Sequence, residues 1–149
     1  MILMEQLIEA AFRLFFLIVT RRPDLGEIIE QLASGRGYGV EDGVAFMFRS
    51  DWWEGSYEQD MFRPGYLMMN CGFPFVEEPY DPDYIHLVSY GEFCDRFDAY
   101  LEEHYYPTHP ECQSQIRGSM LKLRASLGVG EVMPPDVAPV CLPVLTGLD

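Results

Sequence analysis

The amino-acid sequence predicts an α+β fold: a single domain in which a small antiparallel sheet is packed by about four helices, two N-terminal and two C-terminal. Three observations indicate it. Residues 4–33 place apolar side chains at the three- and four-residue steps of a helix. Residues 44–88 hold short apolar runs separated by proline and glycine, as strands and turns do. Residues 89–127 return to helical spacing, and 149 residues suffice for one core.

Two helices are predicted at the N-terminal end. The first covers residues 4–19, and the second runs from about Asp24 to Ala33 and stops at Gly35. The apolar run Leu14–Val19 has six residues, whereas a membrane-spanning helix needs about 20. An acidic start without a cleavage site does not fit a secretion signal either. We therefore expect a cytoplasmic protein.

Three strands are predicted in the centre of the chain. They cover Val44–Phe48, Tyr66–Asn70 and Tyr84–Val88, and short turns between them favour antiparallel pairing. A short edge piece is expected at residues 73–76. The glycines at positions 35, 37 and 39 are interpreted as a connection that needs positive φ angles.

The C-terminal helices have clear start signals. Ser89 and Glu92 have the spacing of a capping box, and Thr108 and Glu111 have the same spacing before the last helix. The last helix is expected to end near Leu127, with glycine at position 128 as its stop. We therefore expect a domain over residues 1–128, followed by a Pro-rich extended or disordered tail over residues 129–149.

The negative charge is concentrated in one region. The formal net charge is -14, and residues 41–103 hold 15 acids against Arg49, Arg63 and Arg96, a net of -12. Such a surface attracts basic partners and repels nucleic acid, which is bound through Lys and Arg. The alternative is an acidic surface that serves solubility alone.

Two acidic segments also contain large aromatic side chains. Residues 51–60 hold four acids and three large aromatics, and residues 77–84 repeat the mixture. Rigid aromatics among charges are typical of binding hot spots. We expect at least one tryptophan to cover the core, and an exposed one to anchor a partner. The predicted partner-binding residues are Asp51, Trp52, Trp53, Glu54, Glu58, Asp60, Glu77, Glu78, Asp81 and Asp83.

Signals for catalysis are weak. Neither a GxSxG nor an HExxH motif occurs, and Lys122 is the only lysine. His104, His109 and Cys112 are close in sequence, but Pro107 prevents one helix face from presenting both histidines. We expect no enzyme, no cofactor and no metal. The alternative is an enzyme that uses carboxylates or this His/Cys cluster.

Several local sequences are similar to one known family. They are the run Gly35–Val40, the strand containing Phe46, the segment His86–Phe93 that leads into a capped helix, Tyr100–Leu101, and His109-Pro110-Glu111 before the last helix. Together, over roughly residues 35–127, they resemble the ribonuclease-toxin immunity proteins of contact-dependent growth inhibition systems. The Pro-rich tail and the double tryptophan have no counterpart in this resemblance.

The resemblance implies a cytoplasmic immunity protein. Such a protein binds the basic C-terminal nuclease domain of a cognate toxin and blocks it without catalysis, nucleic-acid binding or membrane attachment. Two alternatives stay open: an acidic adaptor or regulator of another basic protein, and a small hydrolase-type enzyme.

Overall fold

The computed structural model describes residues 4–40, 43–71 and 85–130. These residues form a mixed α+β domain with four α-helices and one four-stranded sheet, so the predicted fold class is confirmed. The elements are α1 (Met4–Thr20), α2 (Leu25–Ala33), β1 (Tyr38–Val40), β2 (Val44–Met47), β3 (Tyr66–Cys71), β4 (Ile85–Ser89), α3 (Tyr90–Tyr100) and α4 (Gln113–Leu127).

The sheet is antiparallel throughout and its strands follow chain order, β1-β2-β3-β4. The register places Phe46 of β2 opposite Met69 of β3, and Met69 opposite His86 of β4. Residues directly opposite in an antiparallel pair share a face of the sheet. These three side chains therefore belong to one face, which also carries the buried core.

Aromatic side chains of α1 and α3 build that core against the sheet. Phe15 of α1 contacts Phe46 with ring centroids 4.7 Å apart, and Phe16 contacts Phe97 of α3 at the same separation. Phe93 lies 4.9 Å from Phe46. Phe93, Phe97 and Leu101 recur at three- and four-residue spacing, from which we predict one buried face of α3, and their complete burial confirms it. Helices α2 and α4 pack on each other beside this layer.

The glycines before β2 differ from the prediction. Gly35 has a positive φ of 86°, but Gly37 and Gly39 do not, and residues 38–40 form the short strand β1. A Cβ on Gly37 would collide with the Phe46 carbonyl oxygen and lie 2.6 Å from Asp51 Oδ2, and one on Gly39 would lie 3.1 Å from Ala45 Cβ. Close approach of atoms of β2 and the following loop, and not a positive φ, is the reason for these two glycines.

The predicted helix ends are only partly correct. Ser89 Oγ accepts the Glu92 backbone N–H at 3.1 Å, as expected, whereas the Glu92 carboxylate accepts from Arg96 Nε at 2.8 Å. The second capping box is wrong, because the Thr108 hydroxyl donates to the Tyr105 carbonyl at 3.1 Å. A 3-10 turn, Pro110–Cys112, precedes α4 instead. The predicted stop at residue 128 is confirmed by its left-handed φ of 71°.

A π-helical turn, Leu101–Tyr105, extends α3 and was not predicted. It closes with the Tyr106 N–H donating to the Leu101 carbonyl at 2.8 Å. The wider turn allows Leu101, Tyr105 and Tyr106 all to be buried. Packing of these side chains, and not local sequence, explains the turn.

Val129 packs against the core, and the Gly130 carbonyl accepts from Arg124 Nη1 at 2.7 Å. The remainder of the predicted tail and the predicted edge piece at residues 73–76 lie outside the described residues. Across the described ranges, no helix is long and apolar enough to cross a membrane.

Candidate partner-binding surface

The acidic–aromatic segment lies in a loop, residues 48–65, between β2 and β3. It contains two 3-10 turns, Arg49–Asp51 and Gln59–Met61. Asp51 Oδ2 accepts the backbone N–H of Phe48 at 2.6 Å and that of Gly37 at 2.9 Å. The carboxylate predicted to bind a partner therefore joins the start of the loop to the segment before β1.

Two polar residues hold the loop from inside. Gln59 is buried, and its Nε2 donates to the Trp52 carbonyl at 2.9 Å and to the Arg49 carbonyl at 3.2 Å. Ser56 is also buried, and its Oγ accepts the Gln59 N–H at 3.4 Å. The sequence analysis missed both residues. The sequence did contain an indication: Ser56 and Gln59 are the only residues of 56–60 that are neither charged nor aromatic, so they were candidates for hydrogen bonding inside the loop.

The two tryptophans have different environments. Trp53 is 69% exposed, and Trp52 is half-buried against it with ring centroids 6.0 Å apart. The Trp52 Nε1 atom is buried and has no hydrogen-bond partner among the described residues. Tyr57 is 61% exposed on the same loop. Two large aromatic side chains are thus available for contact, beside one that is partly packed.

The remaining acids of the loop form no ion pairs within residues 4–40, 43–71 and 85–130. Glu54 and Asp60 are exposed and Glu58 is half-buried, and none of the three has an ion pair among the residues that the structure describes. Arg49 and Arg63 flank them in sequence, and neither forms an ion pair within the described ranges. The loop therefore presents carboxylates whose charge is open to an approaching cation.

Four acids of α3 and its extension, Glu92, Asp95, Asp98 and Glu102, are paired with arginines. Glu92 pairs with Arg96 at 2.8 Å, and Glu102 pairs with Arg117 of α4. The acidic stripe of Glu92, Asp95, Asp98 and Glu102 carries four of the negative charges of residues 41–103, and the three arginines Arg96, Arg117 and Arg124 offset most of this charge within the fold. It is therefore a weaker attractor for a basic partner than the loop.

Arg124 of α4 forms the centre of this pairing. Its side chain is only 5% exposed, and its Nη2 lies 2.8 Å from Asp95 and 2.6 Å from Asp98. Burial raises the pKa of Asp98 although the Arg124 guanidinium opposes the shift. These ionic contacts join α3 to α4, which is a structural role.

Four predicted binding residues, Glu77, Glu78, Asp81 and Asp83, lie outside the described residues. Because residues 77–84 repeat the composition of residues 51–60, we predict that these four acids lie on the same side of the domain as that segment.

The two histidines considered for catalysis, His104 and His109, pack on different tyrosine rings. His104 lies on Tyr100 with ring centroids 4.7 Å apart, and His109 stacks on Tyr105 at 4.3 Å. Burial raises the pKa of Cys71 to about 11 and that of Cys94 to about 12, which disfavours the reactive thiolates. No group of three His, Cys, Asp or Glu residues in the described part of the chain could hold a metal ion.

Ser119 and Lys122 have the spacing of a serine–lysine nucleophile pair, which the sequence analysis overlooked. Lys122 is 69% exposed, and its Nζ lies 3.2 Å from Glu30 of α2. Ser119 is buried next to Gly26. The lysine therefore serves as an ion-pair partner between α2 and α4.

Comparison with protein-family models, with curated proteins and with solved structures returned no match for this chain. A functional assignment therefore depends on the side chains described above.

Proposed function

We propose that this protein is a cytoplasmic immunity protein that binds and blocks the basic ribonuclease domain of a cognate toxin. The observation that carries the proposal is the loop of residues 48–65. It exposes Trp53 and Tyr57 in the same loop as Glu54, Glu58 and Asp60, whose carboxylates form no ion pair with any residue that the structure describes. The resemblance over residues 35–127 supports the same role.

The chemistry of the loop suits a basic, partly apolar surface. Ribonucleases bind phosphates through clusters of Lys and Arg, and an acidic surface is complementary to such a cluster. Aromatic side chains supply most of the binding energy at interfaces, while surrounding charges speed association. Trp53 and Tyr57 would supply binding energy. Glu54, Glu58 and Asp60 would speed association.

The loop is also held in place before any partner arrives. Asp51 fixes one end through two backbone N–H groups, and Gln59 bonds two carbonyls inside it. A surface ordered in advance loses less conformational entropy on binding. This favours a tight stoichiometric inhibitor, which must remain bound to protect a cell.

The test begins with the neighbouring gene. If it encodes a large toxin, its C-terminal domain is purified and mixed with this protein. We expect a one-to-one complex in size-exclusion chromatography with light scattering. We also expect RNA cleavage to stop at one equivalent in buffer that contains a metal chelator.

Other results would support the alternatives. A complex that leaves RNA cleavage intact would favour the adaptor role. Inactivation of the toxin below one equivalent, with a covalent change seen by mass spectrometry, would favour an enzyme. The absence of any complex with the toxin domain would contradict the proposal.

A further inference from the structure

A groove of about 650 Å³ runs between α4 and the helix formed by α3 and its extension. Its apolar side chains are Ala99 of α3 and Met120 and Leu121 of α4. Leu121 is 56% exposed, and among the described residues only Trp53 and Tyr57 of the loop are large apolar side chains that are similarly open to solvent. The groove is thus an apolar surface to which the loop contributes no residue.

The chain turns back at the end of α4 and arrives at this groove. Gly128 has a left-handed φ of 71°, and the Val129 N–H then donates to the Arg124 carbonyl at 2.8 Å. The Gly130 carbonyl accepts from Arg124 Nη1 at 2.7 Å. Arg124 itself lines the groove, where its guanidinium also pairs with two carboxylates of α3. Residue 130 is therefore held beside one end of the groove.

The residues after Gly130 suit the groove in length and in composition. Arg117 and Arg124 mark its two ends on α4 and are seven residues apart, which is about 10.5 Å along a helix. An extended chain covers that distance in about three or four residues. The sequence after Gly130 is Glu131-Val132-Met133-Pro134-Pro135, so two apolar side chains are followed by prolines, which favour an extended backbone.

The charges of the groove favour an apolar segment over a basic partner. Its carboxylates, those of Asp95, Asp98 and Glu102, are each already paired with Arg124 or Arg117. A basic partner would have to compete with these arginines, whereas an apolar segment leaves the ion pairs in place. A segment joined to residue 130 is also present at a high effective concentration, because it cannot diffuse away.

We propose that residues 131–135 of this chain, which lie outside the described residues, bind in the groove and run antiparallel to α4. Val132 and Met133 would contact Met120 and Leu121, and the two prolines would pass towards Arg117. The groove is then an intramolecular binding site for the C-terminal segment. This inference goes beyond the proposed function and does not depend on it, because no residue of the loop 48–65 lines the groove.

The experiment uses the full chain with isotope-labelled methyl groups of Met and Leu, followed by NMR. We expect nuclear Overhauser cross-peaks between the Met133 methyl group and the Leu121 methyl groups. Leu121→Ala should move the Met133 methyl signal, whereas Tyr57→Ala, which removes a similarly exposed side chain from the loop, should leave it in place. Because the Leu121 side chain is exposed, its truncation leaves the core packing intact.

Variants of the segment itself give the reverse test. Val132→Asp with Met133→Asp should move the Leu121 methyl signals, whereas Val144→Asp with Leu145→Asp, the same kind of change further along the chain, should not. Missing cross-peaks, or an unmoved Met133 signal in Leu121→Ala, would overturn the inference. So would Leu121 signals that change with protein concentration, which indicate a second copy in the groove, or that change only when the toxin domain is added, which indicate the partner.

Discussion

Asp51 illustrates how one carboxylate can be exposed and still be occupied. Its Oδ2 accepts two backbone N–H groups, one of which belongs to Gly37, 14 residues earlier in the chain. A bond to backbone at that distance positions the loop relative to β1. The residue therefore supports the candidate surface more than it contributes charge to it.

Replacing Gly37 with alanine should loosen this connection. The new Cβ would overlap the Phe46 carbonyl oxygen and lie 2.6 Å from Asp51 Oδ2. Overpacking of this kind costs about 1–3 kcal/mol of the free energy of unfolding, measurable by urea denaturation. Gly118→Ala is the control, because its Cβ meets nothing within 4 Å and its site is inside α4. It should stabilise the protein by about 0.5–1 kcal/mol. Equal stability of Gly37→Ala and the native chain would contradict the close approach.

Arg124→Ala should destabilise the protein by an amount that depends on pH. At pH 7 we expect a loss at the lower end of about 3–5 kcal/mol, because Asp95 and Asp98 remain about a third exposed. Burial already raises the pKa of Asp98 above 3.8, and loss of the guanidinium raises it further. Protonation then favours the folded variant over the unfolded chain.

The stability lost in Arg124→Ala, relative to the native chain, should therefore become smaller as the pH falls from 7 towards about 4, because Asp98 with its raised pKa becomes protonated in this range. Urea denaturation at several pH values measures it. Arg117→Ala removes an arginine whose side chain is 46% exposed, and should cost under about 1 kcal/mol. If the stability lost in Arg124→Ala became larger at low pH, the ion pairs of Arg124 with Asp95 and Asp98 would not be its stabilising contribution.

At the scale of the element, the start of α3 depends on one hydroxyl. Ser89→Ala removes the acceptor for the Glu92 backbone N–H and should lower the free energy of unfolding by about 0.5–2 kcal/mol. Ser114→Ala, at an exposed position of α4, is the matched control and should be neutral or slightly stabilising. Thermal denaturation followed by circular dichroism compares them. Equal losses for both variants would mean that the cap contributes nothing.

The sequence was sufficient to predict the four helices and three of the four strands in the described residues. Their apolar periodicity is strong, and most of their bounds shifted by only a residue or two; the start of α4 moved further, from the predicted cap at Thr108 to Gln113. Strand β1 was missed because it is three residues long and contains Gly39, so its strand structure comes from pairing with β2. The π turn after α3 was missed because tertiary packing of three buried side chains produces it.

The sequence predicted which residues the candidate surface contains, but not the hydrogen bonds that hold the loop in its conformation. Acids next to tryptophan identified residues 51–60 as a loop of interest. The hydrogen bonds that shape it join Gln59 to two carbonyls and Asp51 to Gly37. Such contacts depend on how separate segments meet, and sequence periodicity does not report them.

At the scale of the whole molecule, the net charge of -14 does not by itself say where a basic partner is attracted. That depends on which acids are paired with arginines. Three arginines of α3 and α4 offset most of the charge of the acidic stripe on α3 and its extension, whereas the loop acids have no such partners in the described ranges. An approaching basic domain would therefore be directed towards the loop. Two acidic residues with the same formal charge therefore differ in how strongly they attract a basic partner.

Charge reversal should show this difference. Glu54→Lys with Glu58→Lys should slow association with the toxin domain and flatten its dependence on salt, because unpaired charges steer encounter. Glu27→Lys with Glu103→Lys makes the same change in net charge at exposed positions away from the loop. Stopped-flow measurements at several ionic strengths compare the pairs. Similar association rates for both would mean that the loop acids are only a solvated surface.

Trp53→Ala should act on dissociation instead. Truncating an interface tryptophan costs about 2 kcal/mol or more when it is a hot spot, and most such effects are in the dissociation rate. Leu121→Ala is the control, since this side chain of α4 is 56% exposed. Surface plasmon resonance gives both rates. Unchanged dissociation of the Trp53 variant would place the anchor elsewhere.

The position of the two tryptophans also makes the protein its own optical probe. The chain contains no others, and both lie in the loop, so its indole fluorescence reports on this loop alone. With Trp53 69% exposed, the native emission should lie towards the red and be open to aqueous quenchers. A bound partner that covers Trp53 should shift the emission to the blue and protect it from quenching. Docking can thus be followed without any attached dye, whereas melting of the phenylalanine core needs a different spectroscopic signal.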